Sequence, residues 1–177
     1  TFDSEEGKQV FWHSSSHIMA QAVLRLFPNT KFGIGPAIKE GFYYDFDSDH
    51  TFVPEDLEKI QKEMQKIVAE KLKFERKEIS RAEALQMFAD RGEKYKVELI
   101  EDLPEDAVIS TYTQGEFTDL CSGPHLFSTE PVKAIALLNI AGAYWRGSEK
   151  NKMLQRIYGI TFPKKQMLED YLFRMEE

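Results

Sequence analysis

The stretch Gln9–Phe27, QVFWHSSSHIMAQAVLRLF, sets the reading of the whole chain. Val10, Phe11, Ile18, Met19, Ala22, Val23, Leu26 and Phe27 recur near the helical period and Pro28 stops the run, so an amphipathic helix is predicted. Such a stripe has to be buried against another layer, and the segments around it supply one. From Thr30 to Asp47 the turn formers Gly33, Gly35, Pro36 and Gly41 precede an aromatic run, Phe42-Tyr43-Tyr44, that reads as a strand. Pro54, Glu55 and Asp56 open a second helix with Leu57, Ile60, Met64, Ile67, Val68 and Leu72 as its apolar stripe. Phe74–Ile79 alternates like a half-exposed strand, and Ser80 with Glu83 makes a capping box for a short helix to about Asp90.

Further on, Val97–Ile100 fits helix or strand, whereas Ile109–Tyr112 and Glu116–Leu120 flank Gln114-Gly115 as the arms of a hairpin would. Ala134–Tyr144 and Met153–Phe162 read as strands, and Pro163 starts a closing helix whose last residues, Arg174 to Glu177, carry no end signal. The expectation is one α+β domain, with an antiparallel sheet packed on the long helix in two layers. Its core is expected at about 1–53 and 107–177, with a charged, helical insertion lobe at about 54–106. That lobe carries 15 acids against 11 bases, a poor surface for a polyanion.

Composition bounds the function. Over 177 residues, 23 Lys plus Arg against 30 Asp plus Glu leave a net charge of −7, with 42% apolar and 12% aromatic residues. This is a globular composition, and no apolar run approaches the ~18 residues of a membrane helix. The one cysteine, Cys121, cannot form an internal disulfide and no basic-then-apolar leader precedes Thr1, so a cytoplasmic location is expected. The absence of a starting Met suggests a fragment, expected to be monomeric when isolated.

Two of the four histidines, His13 and His17, stand four apart on the predicted helix and project from one face. A third, His125, lies four residues after the lone thiol in Cys121-Ser122-Gly123-Pro124-His125, where Gly and Pro argue for a tight turn. Each piece alone has a bland reading: HxxxH arises by chance, Cys121 is a small buried hydrophobe, and His50 is an exposed bystander. Together the two pairs form a set of borderline-soft ligands for tetrahedral zinc. They serve equally for metal-free hydrolysis, with near-neutral imidazoles activating water or a hydroxyl. No P-loop, dinucleotide-binding turn or nucleophile elbow occurs, so the residues show no ATP site. Gly33-Ile34-Gly35-Pro36 suits either a close backbone approach or a plain turn. Within Ala143–Gln166, the cations Arg146, Lys150, Lys152, Arg156, Lys164 and Lys165 face only Glu149. Tyr144, Trp145 and Tyr158 are interleaved with them, as on surfaces that hold phosphates and stack bases, and a solvated strand edge is the competing reading.

Several long strings occur together in order: His13-Ser14-Ser15-Ser16-His17, Gly35-Pro36, Gly41-Phe42-Tyr43-Tyr44-Asp45, Thr118-Asp119-Leu120-Cys121-Ser122-Gly123-Pro124-His125, Ala141 to Gly147 and Asn151 to Gly159. In these, over nearly its whole length, the chain resembles the editing domain of bacterial threonyl-tRNA synthetase. Alanyl-tRNA synthetase editing domains share only the HxxxH and CxxxH plan. The resemblance implies hydrolysis of the ester in threonine tRNA mischarged with serine. The need for it is physical: serine lacks one methyl of threonine, worth only ~1–3 kcal/mol in a pocket, so a second sieve must remove the smaller product.

It further implies a pocket formed by His13, His17, Lys96, Cys121 and His125 as catalytic set, with Asp119, Tyr44, Gly35 and Pro36 on the substrate. In that reading His13 acts on the ribose hydroxyl or water, Lys96 on the carbonyl side or water, and Asp119 and Cys121 on the amine and hydroxyl of the amino acid. His17 and His125 orient their neighbours. Arg146, Lys150, Lys152 and Arg156 become weak tRNA contacts. No cofactor is required; zinc, were it bound as in alanyl-type relatives, would sit on His13, His17, Cys121 and His125, and ATP belongs to a synthetase core not represented in these residues. The implied partners are tRNA carrying serine and the rest of the synthetase chain, in a full enzyme that is a homodimer; no membrane is involved. Ser122 stands where many relatives carry Arg, which removes an expected guanidinium contact. The competing readings are a non-catalytic RNA-binding module, a zinc-stapled structural domain and a freestanding editor.

Overall fold

In the computed structural model, which describes residues 1–176, helix α1 runs Glu5–Leu26. It starts four residues before the predicted boundary, because the Ser4 side chain accepts the Gly7 N–H and Glu5 and Glu6 sit in the first turn. These are polar signals that hydrophobic periodicity does not register. Then follow β1 (Lys31–Phe32), β2 (Ala37–Ile38), β3 (Gly41–Asp47), α2 (Pro54–Ala69), β4 (Glu75–Ile79), α3 (Arg81–Asp90) and α4 (Lys94–Glu101). The rest is β5 (Ile109–Gln114), β6 (Phe117–Leu120), β7 (Ala134–Tyr144), a single 3₁₀ turn at Trp145–Gly147, β8 (Met153–Phe162) and α5 (Lys165–Glu176). Glu177, the end of the run in which no stop signal is read, lies outside the described residues.

The main sheet is antiparallel in the order β1-β3-β8-β7, with β2 also paired to β3; a separate antiparallel sheet has the order β4-β5-β6. Helix α1 lies on the main sheet beside α2, which also packs on β7, and Gln114 and Phe117 of the smaller sheet cover it, which is why its middle, from Ser14 to Val23, is buried on every face. Trp12 donates from its indole to the Thr161 carbonyl at 2.8 Å, tying the helix to β8. Of the segment expected as an insertion lobe, α2 packs Ile60, Met64 and Ile67 into the main core, whereas α3 and α4 close a small core of their own with Ala84, Phe88, Ile100 and Ile109. Val97–Ile100, ambiguous in the sequence, is helical within α4.

The hairpin between β5 and β6 turns at Gly115-Glu116, one residue beyond the predicted Gln114-Gly115, with Gln114 paired to Phe117. Gly115 has φ +56° and Glu116 does not share a positive φ, the pattern of a type II′ turn with glycine in its first central position. This hairpin carries Asp119 and delivers the chain to Cys121, whose N–H donates to the Ser110 carbonyl at 3.1 Å. No helix among the described residues is long and apolar enough to cross a membrane.

Candidate active site

Three consecutive serines in the middle of a helix are costly unless each hydroxyl has a use. Here each anchors α1 to a different neighbour. Ser14 Oγ lies 2.9 Å from His125 Nδ1 and accepts the Leu126 N–H at 2.9 Å, which fixes the turn after Cys121. Ser15 Oγ donates to the Phe11 carbonyl and lies 2.6 Å from Thr161 Oγ1 on β8. Ser16 Oγ is 2.6 Å from the Gly35 carbonyl and 2.7 Å from that of His13. The serines therefore hold the two flanking histidines against the Cys121 turn on one side and the Gly35-Pro36 loop on the other.

His13, His17, Cys121 and His125 converge until their ligand atoms all lie within 4.8 Å of one another. Cys121 Sγ is 3.2 Å from His125 Nε2 and 3.5 Å from His13 Nε2, and it accepts the Gly123 N–H at 3.2 Å. His125 is held between the stacked ring of Phe74 and the edge-on ring of Tyr112. Beside the cluster, Lys96 on α4 donates to the Gly33 carbonyl at 2.7 Å and to the Tyr44 hydroxyl at 3.0 Å. The Tyr44 hydroxyl in turn donates to Asp119 Oδ2 at 2.6 Å. Lys96 Nζ also lies 2.7 Å from Asp119 Oδ1 in an ion pair without hydrogen-bond geometry, so that Oδ1, like His17 Nδ1, is a buried polar atom with no hydrogen-bond partner. Asp119 Oδ1 thus has electrostatic compensation from Lys96, and His17 Nδ1 is the buried polar atom at this site that has none.

Burial lowers the pKa of all three imidazoles, with the mutual proximity of the rings adding to the effect at His17 and His125. They are neutral at pH 7 and able to accept protons. Burial pushes the Cys121 thiol up to about 12, so it is present as SH and is no thiolate nucleophile. Burial and the neighbouring Asp119 carboxylate raise Tyr44, which keeps it a phenol and a donor.

A cavity of about 470 Å³ opens on this constellation, lined by His13, His17, Gly35, Pro36, Lys96, Asp119 and Cys121, with Ser122 and Arg146 at its edge. His125 stands behind Cys121 and does not line it. Tyr44, expected on the substrate, is wholly buried one layer back and acts on the cavity only through Asp119 and Lys96. Its ring lies against Gly35, where an added Cβ would sit 2.1 Å from Tyr44 Cδ2; the glycine is thus required by close approach and not merely by a turn.

The basic stretch is less free than its composition suggests. Arg146 bonds Glu98 and Asp102, Lys152 Nζ is 2.8 Å from Asp47, and Arg156 grips Asp45 through Nε and Nη2 at 2.7 and 3.0 Å. Lys150 is exposed and makes no ion pair among the described residues. His50 is no bystander: it stacks on Phe27 and its Nε2 lies 2.7 Å from Asp56, because the loop folds back over the start of α2. Sequence reading also missed Ser14 as the partner of His125, for which three buried hydroxyls in a helix were the available signal. It missed the apolar rim of Ile34, Leu99, Leu103 and Val108, for which there was none, since these residues meet only after folding.

The sequence that folds into this site is similar to those of known proteins. Residues 109–158 match the family described as threonyl and alanyl tRNA synthetase second additional domain. The chain is 65% identical over 176 residues to the threonine–tRNA ligase of Finegoldia magna, covering 99% of this chain and 28% of that protein. It is 66% identical over 177 residues to the threonine–tRNA ligase of Carboxydothermus hydrogenoformans and 62% over 177 residues to that of Caldanaerobacter subterraneus, in both cases over 100% of this chain and 28% of the relative. The class that residues 109–158 match is thus that of the tRNA synthetase additional domains. The chain as a whole is similar to one part of the threonine–tRNA ligases, and it spans 28% of the length of the relatives it matches.

Proposed function

We propose that this chain, 1–177, is a post-transfer editing unit that hydrolyses the ester of serine on threonine tRNA, with α4 of the 54–106 lobe contributing Lys96 to a core at about 1–53 and 107–177. The observation that carries the reading is the convergence of neutral imidazoles with the Lys96–Tyr44–Asp119 chain at the floor of one cavity. Asp119 Oδ1, buried and paired with Lys96 without a hydrogen bond, receives the α-ammonium of serine, and the Cys121 thiol faces its hydroxyl. Lys96, fixed by Gly33, Tyr44 and the Asp119 carboxylate, stabilises the developing oxyanion of the ester carbonyl through its charge. His13 takes a proton from the attacking water, directly or through the neighbouring ribose hydroxyl. The water oxygen bonds the carbonyl carbon, the bond from that carbon to the ribose oxygen breaks, and the proton passes to that oxygen; serine and a free tRNA end result.

A second reading is favoured by the donor set, since three imidazoles and a thiol within 4.8 Å suit tetrahedral zinc. His13, His17, Cys121 and His125 would hold the ion, with Ser14 fixing His125 from its outer nitrogen, and it would supply Lewis acidity toward the carbonyl or water. The metal-free reading is preferred because the Lys96 cation already occupies the electrophilic position beside the cluster and repels a second positive charge. Tyr44 positions Lys96 and Asp119, and Arg146, Lys150, Lys152 and Arg156 are at most weak tRNA contacts.

The test is single-turnover deacylation of seryl and threonyl esters of threonine tRNA by this chain, with and without a chelator. Loss of serine alone, unchanged by chelation, is expected. Activity that disappears with the chelator moves the site to zinc, and binding without turnover leaves a tRNA-binding module.

A further inference from the structure

Beside the editing cavity lies a second one of about 530 Å³, which the hydrolysis described above does not use. Ile34, Leu99 and Arg146 line both, so the two cavities meet along a common wall. We propose that the second cavity is the subsite for the nucleotide immediately 5′ of the terminal adenosine, a cytidine held by stacking of its base; the proposal rests on the editing reading.

Connectivity comes first. An adenosine whose ester reaches His13 and Lys96 continues through its 5′ phosphate, and a strand crossing the shared wall enters the second cavity within one phosphodiester. The lining chemistry suits a planar base. Tyr144 is 40% exposed and faces this cavity, and the Arg156 guanidinium carbon lies 3.8 Å over the centre of the Tyr43 ring. With Nε and Nη2 committed to Asp45, Arg156 is held as a fixed plane, so little side-chain entropy is lost on stacking.

Arg146 sits at the junction. It is one of two non-glycine residues with positive φ among the described residues, at φ 55° and ψ 26°. Its Nη1 donates to Glu98 and Asp102, which leaves Nε and Nη2 for the phosphodiester. Because those two carboxylates cancel its long-range field, the arginine orients the strand and the base supplies the affinity. This division of labour separates the subsite from an ordinary basic patch, whose grip would be set by salt.

The experiment compares kcat/KM of this chain for two esters, 3′-seryl adenosine and 3′-seryl cytidylyl-adenosine, in the wild type, Tyr144→Ala and Tyr144→Phe. Stacking of one base is worth roughly 5- to 150-fold, so the wild type is expected to prefer the dinucleotide by at least about 5-fold. Tyr144→Ala brings that ratio close to one and Tyr144→Phe keeps it. Because the ratio is taken within each variant, a change in the folded fraction cancels. Equal efficiency on both esters in the wild type overturns the subsite and leaves editing intact. A ratio that survives Tyr144→Ala, including one where both rates fall together, also overturns it. Hydrolysis of neither ester overturns the editing reading and the subsite with it.

Discussion

Mild acid should destabilise this protein, and the size of the effect follows from its three buried imidazoles. His13, His17 and His125 all have pKa values lowered from 6.5 by burial, whereas in the unfolded chain they return to about that value. Below pH 6.5 the unfolded state therefore binds more protons than the folded one, and stability falls as pH falls. The stability is fully present above pH 6.5 and is lost progressively as pH drops toward the lowered folded values. For one deeply lowered imidazole, a drop to pH 5.5 costs about 1.4 kcal/mol. His17 and His125 together give about 3 kcal/mol, and His13 brings the total up to about 4 kcal/mol, against a whole-domain stability of ~5–15 kcal/mol. Glu93, whose carboxyl is raised by burial, works in the opposite direction, but it is one group against three. The lowered carboxylates of Asp47, Asp56 and Glu116 begin to count only at more acid pH. Urea denaturation at pH 7.5 and 5.5, with chelator present and extrapolated to water, measures the difference. A loss below about 1 kcal/mol would refute the conclusion that these rings are buried and neutral.

Three further outcomes follow from single contacts. Tyr44→Phe removes the hydroxyl between Lys96 and Asp119, which should cost about 1–3 kcal/mol in thermal or urea stability and lower kcat more than it raises KM, because Tyr44 does not touch the cavity. Gly35→Ala drives a Cβ into the Tyr44 ring and should destabilise by about 1–3 kcal/mol and impair deacylation; full retention of both would show that the ring can move away freely. Ser122→Arg, at the exposed edge of the cavity, should tighten tRNA binding in a salt-dependent way with little change in stability, and a filter-binding titration at two salt concentrations decides it.

The sequence alone determined the long helix, the strand and hairpin order, and the pairing of HxxxH with CxxxH, because these depend on periodicity, turn chemistry and spacing, all of which are local. It also supplied the strings that carry the family resemblance. Tertiary structure decided the rest. Lys96 is one lysine among many until α4 docks and its ammonium is buried between Gly33, Tyr44 and Asp119, residues 63, 52 and 23 positions away in the chain. Tyr44 moved from the substrate to the layer behind it because its ring fills the space that Gly35 leaves. The basic stretch lost most of its free charge to acids from distant segments, Asp45, Asp47, Glu98 and Asp102, and no count along the chain registers those partners. Charge pairing, burial and cavity walls are pairwise properties of residues far apart in sequence, and only the packed fold brings such residues within the few ångströms over which their interactions act.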